Sequence, residues 1–308
     1  MRWTLRVAYS RPLECSSCDT KLSSRINGSQ ITFSAAFHIV PRQIGRVKQR
    51  NKSLDATFVS KEYSLSHISF VSRKPISYLR PAKPYIDAIK AVTDKPIKYV
   101  IYSHHHYDHI AGGQPFKDLG ATFIAHRRTR ERLLELKKQK SLLADVVMPD
   151  QVVDDKKSIT LGGTTLELNY VGRNHSDNSL VMRLPKEKIV FVVDFAPIES
   201  VQFRNIPDNA SPLEYIASLK KLASLDWERM IPGHPYAGGR FGTKKDVEDD
   251  IAYMEDLSTE VKKAADAGKC FDTAMKEVKL PKYEKWANYE ASLPANVERF
   301  CYWWGRGY

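Results

Sequence analysis

From Pro81 onward the apolar positions follow two periods. Tyr85–Val92 carries Ile86, Ile89 and Ala91 on a common side, which predicts a helix. Ile97–Tyr102 is a short β-rich run suited to a buried strand, and Ala121–Ala125 is another. Thr129–Lys140 predicts a helix with Leu133, Leu134 and Leu136 turned inward and its charges outward. Past Ser158 the period is two. Ile159–Leu161 and Leu166–Val171, joined by Gly162-Gly163, predict a β-hairpin. Ser179–Leu184 and Ile189–Val193 predict further strands, and Met230–Ile231 a short one. Pro212–Leu225 predicts a helix, with Pro212 near its start after Ser211. Lys244–Ala267 predicts a long helix closed by Gly268. The tail, Ala287–Tyr308, predicts an amphipathic helix ending in Tyr302-Trp303-Trp304, aromatic residues suited to docking it.

The first 80 residues lack this order. They hold 14 serines and only two glycines, Gly28 and Gly45. Ile31–Val40 and His67–Val71 are candidate strands, and Arg42–Lys52 reads as an exposed basic extension. Three parts follow: a basic N-terminal segment over 1–80, a core over 81–242, and a C-terminal helical extension over 243–308.

Charge follows the same division. Residues 1–100 hold 18 Lys and Arg against 6 Asp and Glu, which accounts for the whole net charge of +12. Residues 101–308 hold 30 of each sign. A basic patch of this kind can grip phosphate, so a nucleic-acid partner stays open. A solvated extension is the plainer reading.

A chain of 308 residues buries a core without disulfide support. The four cysteines, Cys15, Cys18, Cys270 and Cys301, are too few for a disulfide framework. Cys15 and Cys18 have zinc-knuckle spacing but no second pair. No run approaches the roughly 20 apolar residues of a membrane span, and no apolar stretch follows Arg2 and Arg6 as in a secretory signal. A cytoplasmic setting without a membrane partner is expected, and a homodimer stays open.

The chemistry concentrates in Ser103-His104-His105-His106-Tyr107-Asp108-His109. Imidazole and carboxylate suit zinc where cysteine is absent. In an extended segment alternate side chains point the same way, so His104 and His106 can reach one metal. His105 and Tyr107 then point elsewhere. A turn after them lets Asp108 and His109 address a second metal. The pattern His-x-His-x-Asp-His arises by chance in roughly one chain in two thousand of this composition, so chance is set aside. A zinc with an open position needs a third protein ligand. His175 lies in a polar loop after a predicted strand, and His234 in the rigid Pro232-Gly233-His234-Pro235 turn. Asp194 ends the apolar run Ile189–Val193, where an unpaired buried carboxylate costs several kcal/mol. A bridge between two metals would satisfy it.

This set resembles the metallo-β-lactamase superfamily over about residues 81–240. The resemblance implies an α/β (α+β) fold, a four-layer αββα sandwich with metals at one edge between two sheets. It implies His104, His106 and His175 on a first zinc, Asp108, His109 and His234 on a second, and Asp194 bridging. Two Zn²⁺ per chain are expected, with Fe or Mn also compatible. The chain departs from the family around Ser69–Lys83, where the usual supporting Asp-x-Gly turn is missing, which implies an altered first sheet.

The expected activity is hydrolysis. Two metals lower the pKa of a held water to roughly 7, giving a nucleophile for a carbonyl or phosphorus. Asp108 is the candidate catalytic residue that orients it. Asn174, Asn178 and Tyr236 lie near ligands and are candidate substrate contacts. The superfamily spans β-lactamases, thioesterases, lactonases, alkylsulfatases and nucleases. Asp194 excludes the β-lactamases with cysteine there, and Pro197 stands where their carboxylate-binding lysine would be. The β-lactamase subclass with an all-His/Asp site stays open. A small-molecule carbonyl substrate (β-lactam, lactone, ester or thioester) leads. Phosphodiester cleavage is the alternative, favoured by the basic first third. A non-enzymatic metal-binding module is least favoured, because the ligand set is complete.

Overall fold

The computed structural model describes residues 82–139, 146–203, 206, 210–234 and 239–307, plus five short strand segments before them. Those segments are Trp3–Thr4 (β1), Lys21–Leu22 (β2), Thr32–Ser34 (β3), Phe58–Ser60 (β4) and Tyr63–Leu65 (β5). β3 falls within the expected Ile31–Val40 strand. The expected His67–Val71 strand, the Arg42–Lys52 extension and the Cys15/Cys18 pair lie outside the described residues.

Two sheets form the centre. Tyr99–Tyr102 (β6), Thr122–His126 (β7) and Gln151–Val153 (β8) run parallel, with β3 on the outer side of β6. The second sheet holds Lys156–Leu161 (β9), Thr164–Tyr170 (β10), Leu180–Leu184 (β11), Ile189–Val192 (β12) and Arg229–Pro232 (β13), in the order β13-β12-β11-β10-β9. Its pairs are antiparallel except β12 with β13. The Gly162-Gly163 hairpin joins β9 to β10 as expected, both glycines having positive φ.

The period of two explains the layering. Ile101 and Ile124 point to one side of the first sheet and meet Leu166, Leu168, Met182 and Phe191 of the second. Val100, Tyr102 and Phe123 point to the other side. They pack under Lys83–Lys90 (α1), Gln114–Asp118 (α3) and Arg127–Lys138 (α4) through Ile86, Ile89, Phe116 and Leu133. Val190, Val192 and Met230 face outward from the second sheet. They are covered by Pro212–Ser224 (α5), Lys244–Asp266 (α6) and Tyr289–Arg306 (α8) through Leu219, Leu222, Tyr253, Leu257 and Phe300. The result is the expected αββα sandwich. All of β12 is buried, which is why Ile189–Val192 reads as an unbroken apolar run.

Helix ends follow local chemistry. Ser211 and Glu214 form a reciprocal capping box on α5, with bonds of 3.1 and 2.8 Å. Gly268 closes α6 at φ 69°. Trp304 docks α8 by donating to Ser258 Oγ at 3.1 Å.

Two expectations need correcting. Leu134 is not inward but 47% exposed. Leu133 takes the buried position instead, and a neighbour about 100° round the helix faces water. Cysteine count gave no reason to pair Cys270 with Cys301, yet the two are disulfide-bonded. They stand 31 residues apart, and α8 folding back on α6 brings their Cα atoms to 5.4 Å. Among the described residues no helix is long and apolar enough to cross a membrane.

The layering predicts a contrast between neighbouring leucines. In urea unfolding Leu133→Ala should lose about 2–5 kcal/mol. Leu134→Ala should stay within about 0.5 kcal/mol of the parent.

Candidate metal centre

Every candidate ligand follows a strand. The chain leaves β6 at Tyr102 and bends through Ser103–His105, and His106 has an extended backbone (φ −66°, ψ 141°) before the single-turn helix Tyr107–Ile110 (α2). That turn carries Asp108 and His109. His175 stands between β10 and β11, Asp194 two residues past β12, and His234 two residues past β13. Because β12 and β13 are parallel neighbours, their ends deliver Asp194 and His234 side by side. Gly233 N donates to Val192 O at 3.0 Å and secures the second of these turns.

The side chains converge as two groups, His104, His106 and His175, and Asp108, His109, Asp194 and His234. Within each group the possible ligand atoms lie within 4.8 Å of one another. His175 Nε2 is 3.0 Å from His106 Nδ1. Asp194 Oδ2 lies 2.6 Å from His109 Nε2 and 3.7 Å from both His104 Nε2 and His175 Nε2. Asp194 Oδ1 lies 3.0 Å from His234 Nε2. Asp108 Oδ2 is 3.2 Å from His109 Nε2. One carboxylate therefore faces both groups.

Backbone conformation makes this possible. Asp194 has φ 70°, a left-handed position that aspartate tolerates better than most residues. Gly233 is required beside it. A Cβ there would sit 2.7 Å from Asp194 Oδ1 and 3.0 Å from Val193 Cα.

The electrostatics suit metal binding. Burial, with help from His109 and His106, holds His104 well below the usual imidazole range. Burial pushes His106 down to about 4 and His175 down to about 3. These three imidazoles are neutral at pH 7 and keep a lone pair for a cation. His109 goes the other way: burial opposes its charge, but Asp194 and Asp108 lift it to about 10. Asp194 is buried too, yet His109 and His234 keep its carboxyl well below the usual range. A cation entering the second group would take the place of the His109 proton. His104 Nε2 is the clearest sign of fit. It is fully buried, makes no hydrogen bond, and is directed at the Asp194 carboxylate.

The ligand loops are held from behind. Ser103 Oγ lies 3.2 Å from His104 Nδ1. His105 points away from the cluster as expected, with Nδ1 3.2 Å from Ser176 Oγ and 2.9 Å from Asn178 Nδ2. Asn178 Oδ1 accepts from His105 N at 3.0 Å and from Thr129 Oγ1 at 2.9 Å. Its Nδ2 also donates to Asp177 Oδ1 at 2.7 Å, and the Arg132 guanidinium grips the same carboxylate at 3.0 and 2.5 Å.

These contacts tie two of the candidate substrate residues into the scaffold. Asn174 and Asn178 are fully buried. Asn174 donates to Ser218 Oγ at 2.9 Å on α5, and Asn178 ties the His175 loop to the His105 backbone. Both spend their polar groups on the scaffold. Tyr236 lies outside the described residues. The sequence reading missed Phe203, whose ring centroid is 5.3 Å from that of His175 and 5.5 Å from that of His234. No period or motif marks it.

Comparison with known proteins agrees with this geometry. Residues 77–234 match the family model described as Metallo-beta-lactamase superfamily. The 2,4-dinitroanisole O-demethylase subunit alpha of a Nocardioides species is 25% identical over 154 residues, 50% of this chain and 45% of that protein. A hydroxyacylglutathione hydrolase of Pelagibacter ubique is 36% identical over 73 residues, 23% of this chain and 26% of that one. The chain thus spans half or less of the length of these relatives. Among solved structures, a double mutant of a sec-alkyl sulfatase aligns with a TM-score of 0.55 at 17% identity, over 72% of this chain and 43% of that one. That likeness concerns the fold alone.

The hydrogen bonds of Asn178 predict a metal phenotype rather than a substrate phenotype. Asn178→Ala should weaken divalent-metal binding by about 10–100-fold in a competition titration. Unchanged metal affinity with a raised KM would restore the substrate-contact reading.

Proposed function

Because the chain belongs to the metallo-β-lactamase superfamily, we propose that it is a hydrolase that uses two zinc ions to open a carbonyl compound. The observation that carries this is the convergence of seven ligand side chains into two adjoining groups that share Asp194. In this reading His104, His106 and His175 would hold one ion. Asp108, His109 and His234 would hold the other, with the Asp194 carboxylate, which faces both groups, as a further ligand. Iron or manganese would suit the same nitrogen and oxygen donors. Bound ions supply Lewis acidity and a water that ionises near neutral pH.

The chain's own residues supply position and proton handling. Asp194, fixed by its left-handed backbone and by Gly233, turns Oδ2 toward His109, His104 and His175 and Oδ1 toward His234. Asp108 is the more accessible carboxylate, its side chain 34% exposed. His109 helps hold its carboxyl below the usual range despite burial, so it stays ionised at neutral pH. It can orient the attacking water and accept its proton.

A small-molecule acyl compound (β-lactam, lactone, ester or thioester) is the substrate class that fits best. Asp194 and Pro197 depart from the cysteine-containing β-lactamases, and one matched relative is named a hydroxyacylglutathione hydrolase. Phosphodiester cleavage is the second reading. It rests on the +12 charge carried within residues 1–100.

A hydrolysis panel on the zinc-loaded chain tests this. It compares nitrocefin, a thioester, a lactone and bis-p-nitrophenyl phosphate. Turnover of one or more carbonyl substrates, lost by at least about a hundredfold in His104→Ala, is the expected result. Turnover confined to the phosphodiester would replace the leading reading by the second. Full zinc content and near-normal turnover in His104→Ala would sink the ligand assignment.

A further inference from the structure

The segment after Asp194 is fastened to the C-terminal helices residue by residue. Val201 N donates to Ala287 O at 3.1 Å, and Asn288 Nδ2 reaches Ser200 Oγ at 3.2 Å. Gln202 Nε2 donates to the buried Asp250 carboxylate of α6 at 2.7 and 2.8 Å. Gln202 Oε1 accepts from Tyr215 OH at 2.6 Å, on α5. Asn296 Nδ2, from α8, donates to the Phe203 carbonyl at 3.1 Å, and Asn296 Oδ1 is held by Tyr253 OH at 2.9 Å. Gln202, Asp250 and Asn296 are all buried.

This fastening leads to one side chain. The Phe203 ring is only partly buried, unlike its neighbours Val201 and Gln202. It stands against His175 from one ligand group and His234 from the other, tilted 55° and 76° to their planes. If Phe203 served only to pack the segment, its ring would be expected inside with Val201. Instead the backbone is anchored by buried amides while the ring projects toward the meeting point of the two groups. An aromatic face there meets apolar or aromatic surface favourably.

We infer that Phe203 is a specificity-determining residue. Its ring forms an apolar wall beside the metal centre, against which an aryl or other flat apolar substituent of the substrate lies. Asn296 and Gln202 are the positioning residues that set the ring's place, which gives α6 and α8 a part in substrate choice. This rests on the metal-centre reading above and adds the chemical class of group that flanks the scissile bond.

Thiols that bind a metal test the wall without turnover. The full chain is loaded with cobalt and titrated with phenylmethanethiol and with 1-propanethiol, following the thiolate-to-cobalt absorption band. The wild type should bind the aryl thiol more tightly. Phe203→Ala should cut that preference by about tenfold, the scale on which apolar pockets discriminate. Cobalt stoichiometry should stay the same, and Phe203→Tyr should keep the preference. An unchanged preference in Phe203→Ala, or equal weakening of both thiols, would overturn the inference while leaving the metal centre standing. Absence of cobalt uptake by the wild type would instead overturn the metal-centre reading, and this inference with it.

Discussion

A carboxylate buried at the end of an apolar strand is costly unless positive charge or hydrogen-bond donors surround it. Asp194 is in that position, with its side chain only 3% exposed. Its surroundings are four imidazoles, from His104, His109, His175 and His234, brought from three separate connections. Without metal, the charge is balanced by a proton on His109, which Asp194 and Asp108 keep in place against burial. With metal, the same lone pairs and carboxylates would serve as ligands. The sandwich is arranged so that this one carboxylate can be satisfied.

That demand reaches outward into the fold. The parallel pairing of β12 and β13 places Asp194 next to His234, and the missing side chain of Gly233 leaves the room. On the other sheet, β6 hands His104 and His106 directly to the cluster, while His105 turns back to Asn178 and joins two ligand loops. The C-terminal helices cover the outer face of the second sheet through Tyr253, Leu257 and Phe300. They also fix the segment between Asp194 and Phe203 through Asp250 and Asn296. Stability and site geometry thus draw on the same helices.

Much of this could be read in the sequence, for reasons of range. His104–His109 is local, so strand alternation and one turn predict its geometry. His175, Asp194 and His234 were legible because each polar residue interrupts or follows an apolar strand run. What escaped was the direction a side chain takes within a polar loop. Asn174 and Asn178 look alike in sequence whether they face a substrate or reach back to Ser218 and Thr129. Leu134 escaped for a related reason: beside Leu133, periodicity alone does not settle which of two adjacent leucines faces the sheet. The Cys270–Cys301 bond and Phe203 depend on chain segments meeting in space, and no local pattern encodes either.

On the proposed function, the seven side chains form a shared site for two metal ions with Asp194 between them. Native mass spectrometry of the zinc-titrated full chain tests it most directly, with Asp194→Ala run alongside. Two zinc ions per wild-type chain are expected, with loss of at least one of them in the variant. Wild-type uptake of fewer than two ions, or an unchanged pair of ions in Asp194→Ala, would contradict it.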